Sequence, residues 1–149
     1  MTFGRKMAVF AAAFIVTAVS GFSQTTEEKQ AWYIIFPANS ADLQKITGDT
    51  AIRNAQSFTK VAQALLENPQ YRILVDGHAN PVMKTASEET GSLRPLSVRR
   101  AEAAADFLVK YYGVDRERLI LTGAGGGYPF GTKDPSLDRR VSFFVITPR

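Results

Sequence analysis

Apolar and polar positions along this chain switch between two spacings. Trp32-Tyr33-Ile34-Ile35-Phe36 is an aromatic and β-branched run stopped by Pro37, which predicts a first strand. Ala38 to Asn54 reads as a loop with one short helical turn around Ala41 to Ile46. Ala55 to Glu67 carries Phe58, Val61, Ala62, Leu65 and Leu66 at helical spacing, and Asn68-Pro69 ends that helix. Tyr71 to Gly77 predicts a second strand. Ala79 to Pro95 reads as a long polar loop containing Pro81 and Gly91; a loop of that length in a compact domain is uncommon and often functional. From Leu96 to Tyr112, Val98, Ala101, Ala105, Leu108 and Tyr112 recur at helical steps, and Gly113 is a natural stop. Arg118 to Gly123 and Arg140 to Ile146 predict the third and fourth strands. The connection between them, Ala124 to Leu137, is rich in Gly and Pro.

The resulting order is β-α-β-α-β-β. It predicts an α+β fold, an α/β sandwich in which a mixed four-stranded sheet carries both helices on one face through right-handed crossovers. A chain of 149 residues is long enough for one domain with a real core. Residues 1–23 read as a signal peptide: Arg5 and Lys6 form a charged start, Met7 to Val19 is apolar, and Ser20-Gly21-Phe22-Ser23 supplies small residues for cleavage. The apolar run is shorter than the roughly 20 residues of a membrane-spanning helix, so an uncleaved anchor is the second reading. Residues 24–31 read as a flexible polar lead and residues 32–149 as the folded domain. There is no internal repeat, and four strands with long crossovers exclude a transmembrane barrel within this chain.

Composition narrows the chemistry. The chain has no cysteine, which excludes disulfides, thiolate metal sites and lipid attachment through an N-terminal Cys. The net charge is +4, and removal of Arg5 and Lys6 leaves 16 basic and 14 acidic residues, a mixed surface with no argument for nucleic acid or an anionic membrane. The single histidine, His78, has no second metal-type ligand at suitable spacing, so no zinc site is expected; at a strand end it reads as a structural residue holding a loop carbonyl. Gly123-Ala124-Gly125-Gly126-Gly127 fails as a nucleotide loop, because Tyr128 and Phe130 stand where a further glycine is needed and Pro129 and Pro135 discourage a following helix. It reads instead as a connection using positive φ angles. Asp138-Arg139-Arg140 reads as a salt-bridged turn capping the sheet.

Two segments remain. Gly77-His78-Ala79-Asn80 ends the second strand, and Leu96-Ser97-Val98-Arg99-Arg100-Ala101 opens the best helix. Both can reach one end of the sheet. A guanidinium on the first turns of a helix beside a polar strand end suits a carboxylate, which its planar fork can grip with two bonds. Arg99 lies one step round the helix and reads as a surface residue, whereas Arg100 precedes core-facing Ala101 and belongs at the edge of the buried stripe.

These segments recur in one order with Phe36, Ser40-Ala41-x-Leu43, Gly113-Val114-Asp115-x-x-Arg118-Leu119, Gly123-x-Gly125 with Pro129, and Asp138-Arg139-Arg140-Val141. The ordered set, over residues 32 to 147, resembles the OmpA-like C-terminal domain also found in MotB-type stator proteins and peptidoglycan-associated lipoproteins. The resemblance implies an exported periplasmic domain, associated with the outer membrane or cell envelope, that binds peptidoglycan without covalent chemistry, cofactor or metal. In that family an Asp after the Gly-His-Thr segment and the Arg of Leu-Ser-x-x-Arg-Ala clasp the diamino acid of the stem peptide. The Arg corresponds to Arg100. The Asp position is Asn80, a departure, and Leu93 stands where the family often has Asn. Asn39 is expected to line the same cleft.

Asn80 still accepts a hydrogen bond from an ammonium, but without charge. A charge-assisted bond is roughly twice as strong, so a loss of about 1–2 kcal/mol, or roughly tenfold in affinity, is expected. Two rescues are conceivable: Glu88 or Glu89 in the enlarged loop swings in as the missing carboxylate, or the ligand carries a different diamino acid. Three functions compete. The first is a peptidoglycan-binding module. The second keeps the fold but has lost that affinity and docks another envelope protein. The third, an enzyme acting on wall peptides, needs a nucleophile and base in reach of each other, and His78 has no evident Ser partner. The expected reading is a binding module, not an enzyme.

Overall fold

The computed structural model describes residues 30–81 and 92–148. The signal peptide expected at 1–23, most of the lead and the carboxylates Glu88 and Glu89 lie outside the described residues. Four strands, β1 (Gln30–Ile35), β2 (Arg72–Gly77), β3 (Leu119–Gly123) and β4 (Arg140–Ile146), form one mixed sheet in the order β1-β4-β2-β3. β4 runs antiparallel to both neighbours, and β2 and β3 are parallel. Two helices, α1 (Gly48–Glu67) and α2 (Leu93–Tyr112), complete the β-α-β-α-β-β order.

Alternation along the strands explains the layering. In β2, Ile73 and Val75 are buried while Arg72 is exposed and Leu74 and Asp76 are half-buried. Ile73, Val75, Val141, Phe143, Ile34 and Leu119 turn to one side and join Phe58, Val61 and Leu65 of α1 and Ala101, Ala104, Ala105 and Leu108 of α2 in a single core. Phe58 stacks on Phe107 at 4.5 Å between ring centres and meets Phe143 edge-on at 6.0 Å, so both helices share that face.

Several boundaries depart from the pattern. α1 starts at Gly48, not Ala55, because Thr50, Ala51 and Asn54 continue the inward stripe with a polar member at its end. Asn54 is buried there without being apolar: its Oδ1 accepts from Ile35 N at 2.9 Å and its Nδ2 donates to Ile35 O at 2.8 Å, a role invisible to a hydrophobic template. The short turn expected around Ala41 to Ile46 is a 3-10 turn, Leu43–Lys45. α2 starts at Leu93, three residues before the expected Leu96, with Pro95 in its first turn where a missing N–H costs nothing. Val98, expected in the buried stripe, is 38 % exposed, and Ala104 takes an inward place instead. β1 takes in Gln30 and Ala31 from the expected lead. Among the described residues no helix is long and apolar enough to cross a membrane.

Candidate functional site

Two glycines set α2 against the strand ends. A Cβ on Gly77 would fall 1.8 Å from Ser97 O, and one on Gly123 would fall 2.5 Å from Val98 Cγ2. Without those side chains, the first turns of α2 lie directly on the C-terminal ends of β2 and β3. Ser97 fastens the seat: its Oγ donates to Arg94 O at 2.7 Å and accepts from Gly125 N at 2.9 Å. The strand ends are stitched to the glycine-rich connection by Ala124 N to Gly77 O and Ala79 N to Gly125 O, both 2.8 Å. Gly125 has φ 61° and Gly131 φ 80°, the positive angles expected of that connection.

This seat delivers Arg100 to the end of the sheet. Its side chain is 0 % exposed, deeper than the stripe edge expected for it. Nε donates to Ser40 O at 3.0 Å, Nη1 to His78 O at 2.9 Å and Nη2 to Pro37 O at 2.8 Å. The guanidinium carbon lies 5.6 Å from the centre of the buried Phe36 ring. Between the two acceptors of the first loop sits exposed Asn39, whose φ of 49° is left-handed. Asn tolerates that region, and the kink turns the carbonyls on either side toward one guanidinium. Asn80, two residues beyond the third acceptor, is 2 % exposed and has a polar partner. The backbone around Asn39, the backbone leading to Asn80 and the head of Arg100 therefore converge.

His78 does not hold a loop carbonyl with its ring, as expected; its main chain does that work, donating to Arg140 O at 2.8 Å and accepting from Arg100. The ring lies on the sheet face away from the helices, 3.0 Å through Nε2 from Asp76 Oδ2. The contact is close but poorly aligned, so neither ring nitrogen makes a good hydrogen bond. Asp76 also accepts from Thr122 Oγ1 at 2.5 Å. Burial pushes the Asp76 carboxyl up, but the contacts with His78 and Thr122 and the charges of His78 and Arg140 outweigh it and hold it below its ordinary range. The Asp138-Arg139-Arg140 turn is tied by hydrogen bonds to main-chain groups: Asp138 Oδ1 accepts from Phe130 N at 2.7 Å, and Arg140 donates to Leu137 O and Tyr128 O, both 3.2 Å. Among the described residues no group of three His, Asp or Glu side chains converges as a metal site would require.

The residues that sequence reasoning missed are main-chain acceptors. Pro37 O, Ser40 O and His78 O carry no side-chain signature. The pairing of Gly77 with Gly123 was a usable signal, since parallel strands that both end in Gly leave room for a helix. A cavity of about 530 Å³ lies elsewhere, between β1 and the start of α1.

Comparison with known proteins agrees with this fold. No curated protein sequence matches the chain. Among solved structures, the peptidoglycan-associated lipoprotein from Burkholderia pseudomallei superposes with a TM-score of 0.57 at 21 % identity, over 79 % of this chain and 91 % of that one. The OmpA-like domain of FopA1 from Francisella tularensis gives 0.60 at 22 %, over 78 % and 71 %. The C-terminal domain of Helicobacter pylori MotB gives 0.59 at 20 %, over 78 % and 84 %. The model of the OmpA family matches residues 35–141, from the end of β1 into β4, and the chain belongs to that family.

Proposed function

We propose that this domain is a non-catalytic, exported module of the periplasm that holds peptidoglycan, with Arg100, Asn80 and Asn39 forming the recognition site for the diamino acid of a stem peptide. The observation that carries the reading is the convergence of both loops on the Arg100 guanidinium. A structural relative is named as peptidoglycan-associated, and membership of the OmpA family supports the same function. In this reading the fixed positive charge favours a ligand carboxylate, while the Asn80 amide oxygen accepts from the side-chain ammonium. Glu88 and Glu89 are proposed as accessory carboxylates for that ammonium.

The burial of Arg100 favours a second reading. A guanidinium already spending bonds on three carbonyls at 0 % exposure is reached by ligand only after rearrangement around it. In that case Arg100 is structural, the wall affinity has been lost, and the domain docks another envelope protein.

Co-sedimentation with purified sacculi separates the two. Arg100→Ala is a poor probe, because it also breaks the fold's own contacts. Asn80→Asp restores a charged acceptor and is expected to tighten retention about tenfold, with Asn80→Ala weakening it, at unchanged circular dichroism. Equal failure of wild type and Asn80→Asp to sediment overturns peptidoglycan binding and leaves the second reading.

A further inference from the structure

Among the described residues β1 is an edge strand, and the groove beside it is electropositive. Phe36 N donates to Arg139 O at 2.7 Å, which places Phe36, Ile34 and Trp32 in the pairs that bond β4. By alternation, the N–H and C=O of Tyr33 and Ile35 point away from the sheet. At Ile35 both groups are taken by the Asn54 amide, which stands where a neighbouring strand's peptide would stand. At Tyr33 no hydrogen bond of that kind is seen among the described residues, and the edge lines the cavity of about 530 Å³ between β1 and α1.

The walls of that groove carry Lys45, Arg53, Lys60 and Arg139 against one carboxylate, Asp134. Lys45, Arg53 and Lys60 are exposed. Arg139 is more telling. Its Nε donates to Phe36 O at 3.2 Å, but its Nη1 is shut off from water and meets no acceptor. That nitrogen is out of a ligand's direct reach, so Arg139 contributes its charge to the groove wall rather than a bond. An exposed edge with outward amide groups is also the standard template for strand addition.

We propose that the outer edge of β1 docks an extended acidic segment of a partner protein, which adds a fifth strand at Tyr33 and sets its carboxylates against Arg53, Lys60 and Arg139. The Asn54 cap at Ile35 and the irregular pairing between Gln30 and Trp32 restrict the addition to a few residues centred on Tyr33. The short, charge-selected edge thereby avoids indiscriminate self-association. This surface adjoins the Arg100 site: Phe36 and Pro37 line the groove, and the Pro37 carbonyl also accepts from Arg100.

The test uses the whole chain and a six-residue alternating Glu-Val peptide capped at both ends. Trp32 is the chain's only tryptophan and lines the groove, so its emission reports occupancy. A saturable emission change is expected, with exchange of the Tyr33 amide slowed about tenfold at saturation, as a new strand bond requires. Reversing two exposed charges, Arg53→Glu with Lys60→Glu, is expected to weaken binding about tenfold with thermal stability retained. Absence of binding, equal binding of a Lys-Val peptide, or occupancy without slowed Tyr33 exchange overturns the proposal. Displacement of the peptide by inorganic polyphosphate at equal charge would show a general anion trough and overturn it as well.

Discussion

Two buried arginines hold the loops at one end of this sheet, and they do so in different surroundings. Arg100, 0 % exposed, gathers Pro37 O, Ser40 O and His78 O beneath the Phe36 ring. Arg140, 6 % exposed, gathers Leu137 O, Tyr128 O and Ser142 Oγ beside the Phe130 ring at 4.9 Å. Both use a planar fork to satisfy acceptors that no helix or strand reaches. For Arg140 the surroundings include charge. Burial pulls the Arg140 pKa down, and the carboxylates of Asp138 and Asp76 oppose that pull. The acceptors described for Arg100 are peptide carbonyls, which have no proton to gain. One clamp therefore depends on neighbours that titrate, whereas these three bonds of the other do not.

The largest effect should come from the deeper clamp. Arg100→Met keeps the stem and removes three donors, leaving buried carbonyls unmatched. A loss of about 3–5 kcal/mol in unfolding free energy is expected by urea denaturation. A loss under about 1 kcal/mol would show that water replaces the guanidinium, and that this end of the sheet is more open than its burial implies.

Gly77→Ala attacks the same region from beneath. The added Cβ would meet Ser97 O at 1.8 Å, and both atoms near the contact are backbone, so α2 must lift. About 3 kcal/mol is expected, at the upper end for overpacking. Because α2 carries Arg100, the Pro37 to Ser40 loop should lose hydrogen-exchange protection in step, while the Tyr128 to Leu137 connection keeps it. Loosening of both together would deny that the two clamps are separate units.

The contrast also shows what the residue pattern can and cannot convey. Strands two and four were legible because β-branched and aromatic runs bounded by turn residues leave few alternatives, and β4 falls at Arg140 to Ile146 as expected. The two-layer fold followed from element order. The start of α1 was hidden because Asn54 is buried for hydrogen bonding to Ile35, and a polar core position breaks the periodic signal. That Arg100 and the segment ending at Asn80 reach one end of the sheet was legible from the strand end and helix start, whereas the place of the loop around Asn39 was suggested only through likeness to a family. The bonds that assemble them end on main-chain oxygens, which every residue has and no sequence distinguishes.

Arg140→Met should cost less than its counterpart, about 1–3 kcal/mol. Two of its three acceptors, Leu137 O and Tyr128 O, belong to a connection with exposed Tyr128 and Gly131, where water can reach the freed carbonyls. The Tyr33–Phe130 contact at 5.4 Å should loosen with it, measured as faster ring flipping or lost cross-peaks between the two rings. A loss matching that of Arg100→Met would erase the distinction in burial.

The smallest effect is the most specific to the difference in charge. The Asp76 carboxyl is held below its ordinary value of 3.8 in the folded chain, so its contribution to stability is fully present above that value. It is lost as pH falls through the lower folded value, since the unfolded chain takes up the proton first. Acidification from pH 5 to about 3 should therefore weaken the Arg140 end before the Pro37 to Ser40 loop, seen as earlier loss of amide protection at Phe130 than at Phe36. Asp76→Asn removes the titrating group while keeping an acceptor for Thr122, and should flatten that part of the acid response. If the Phe36 amide opened first instead, the clamp built on carbonyls would be the acid-sensitive one, and the assignment of charge dependence to Arg140 would be reversed.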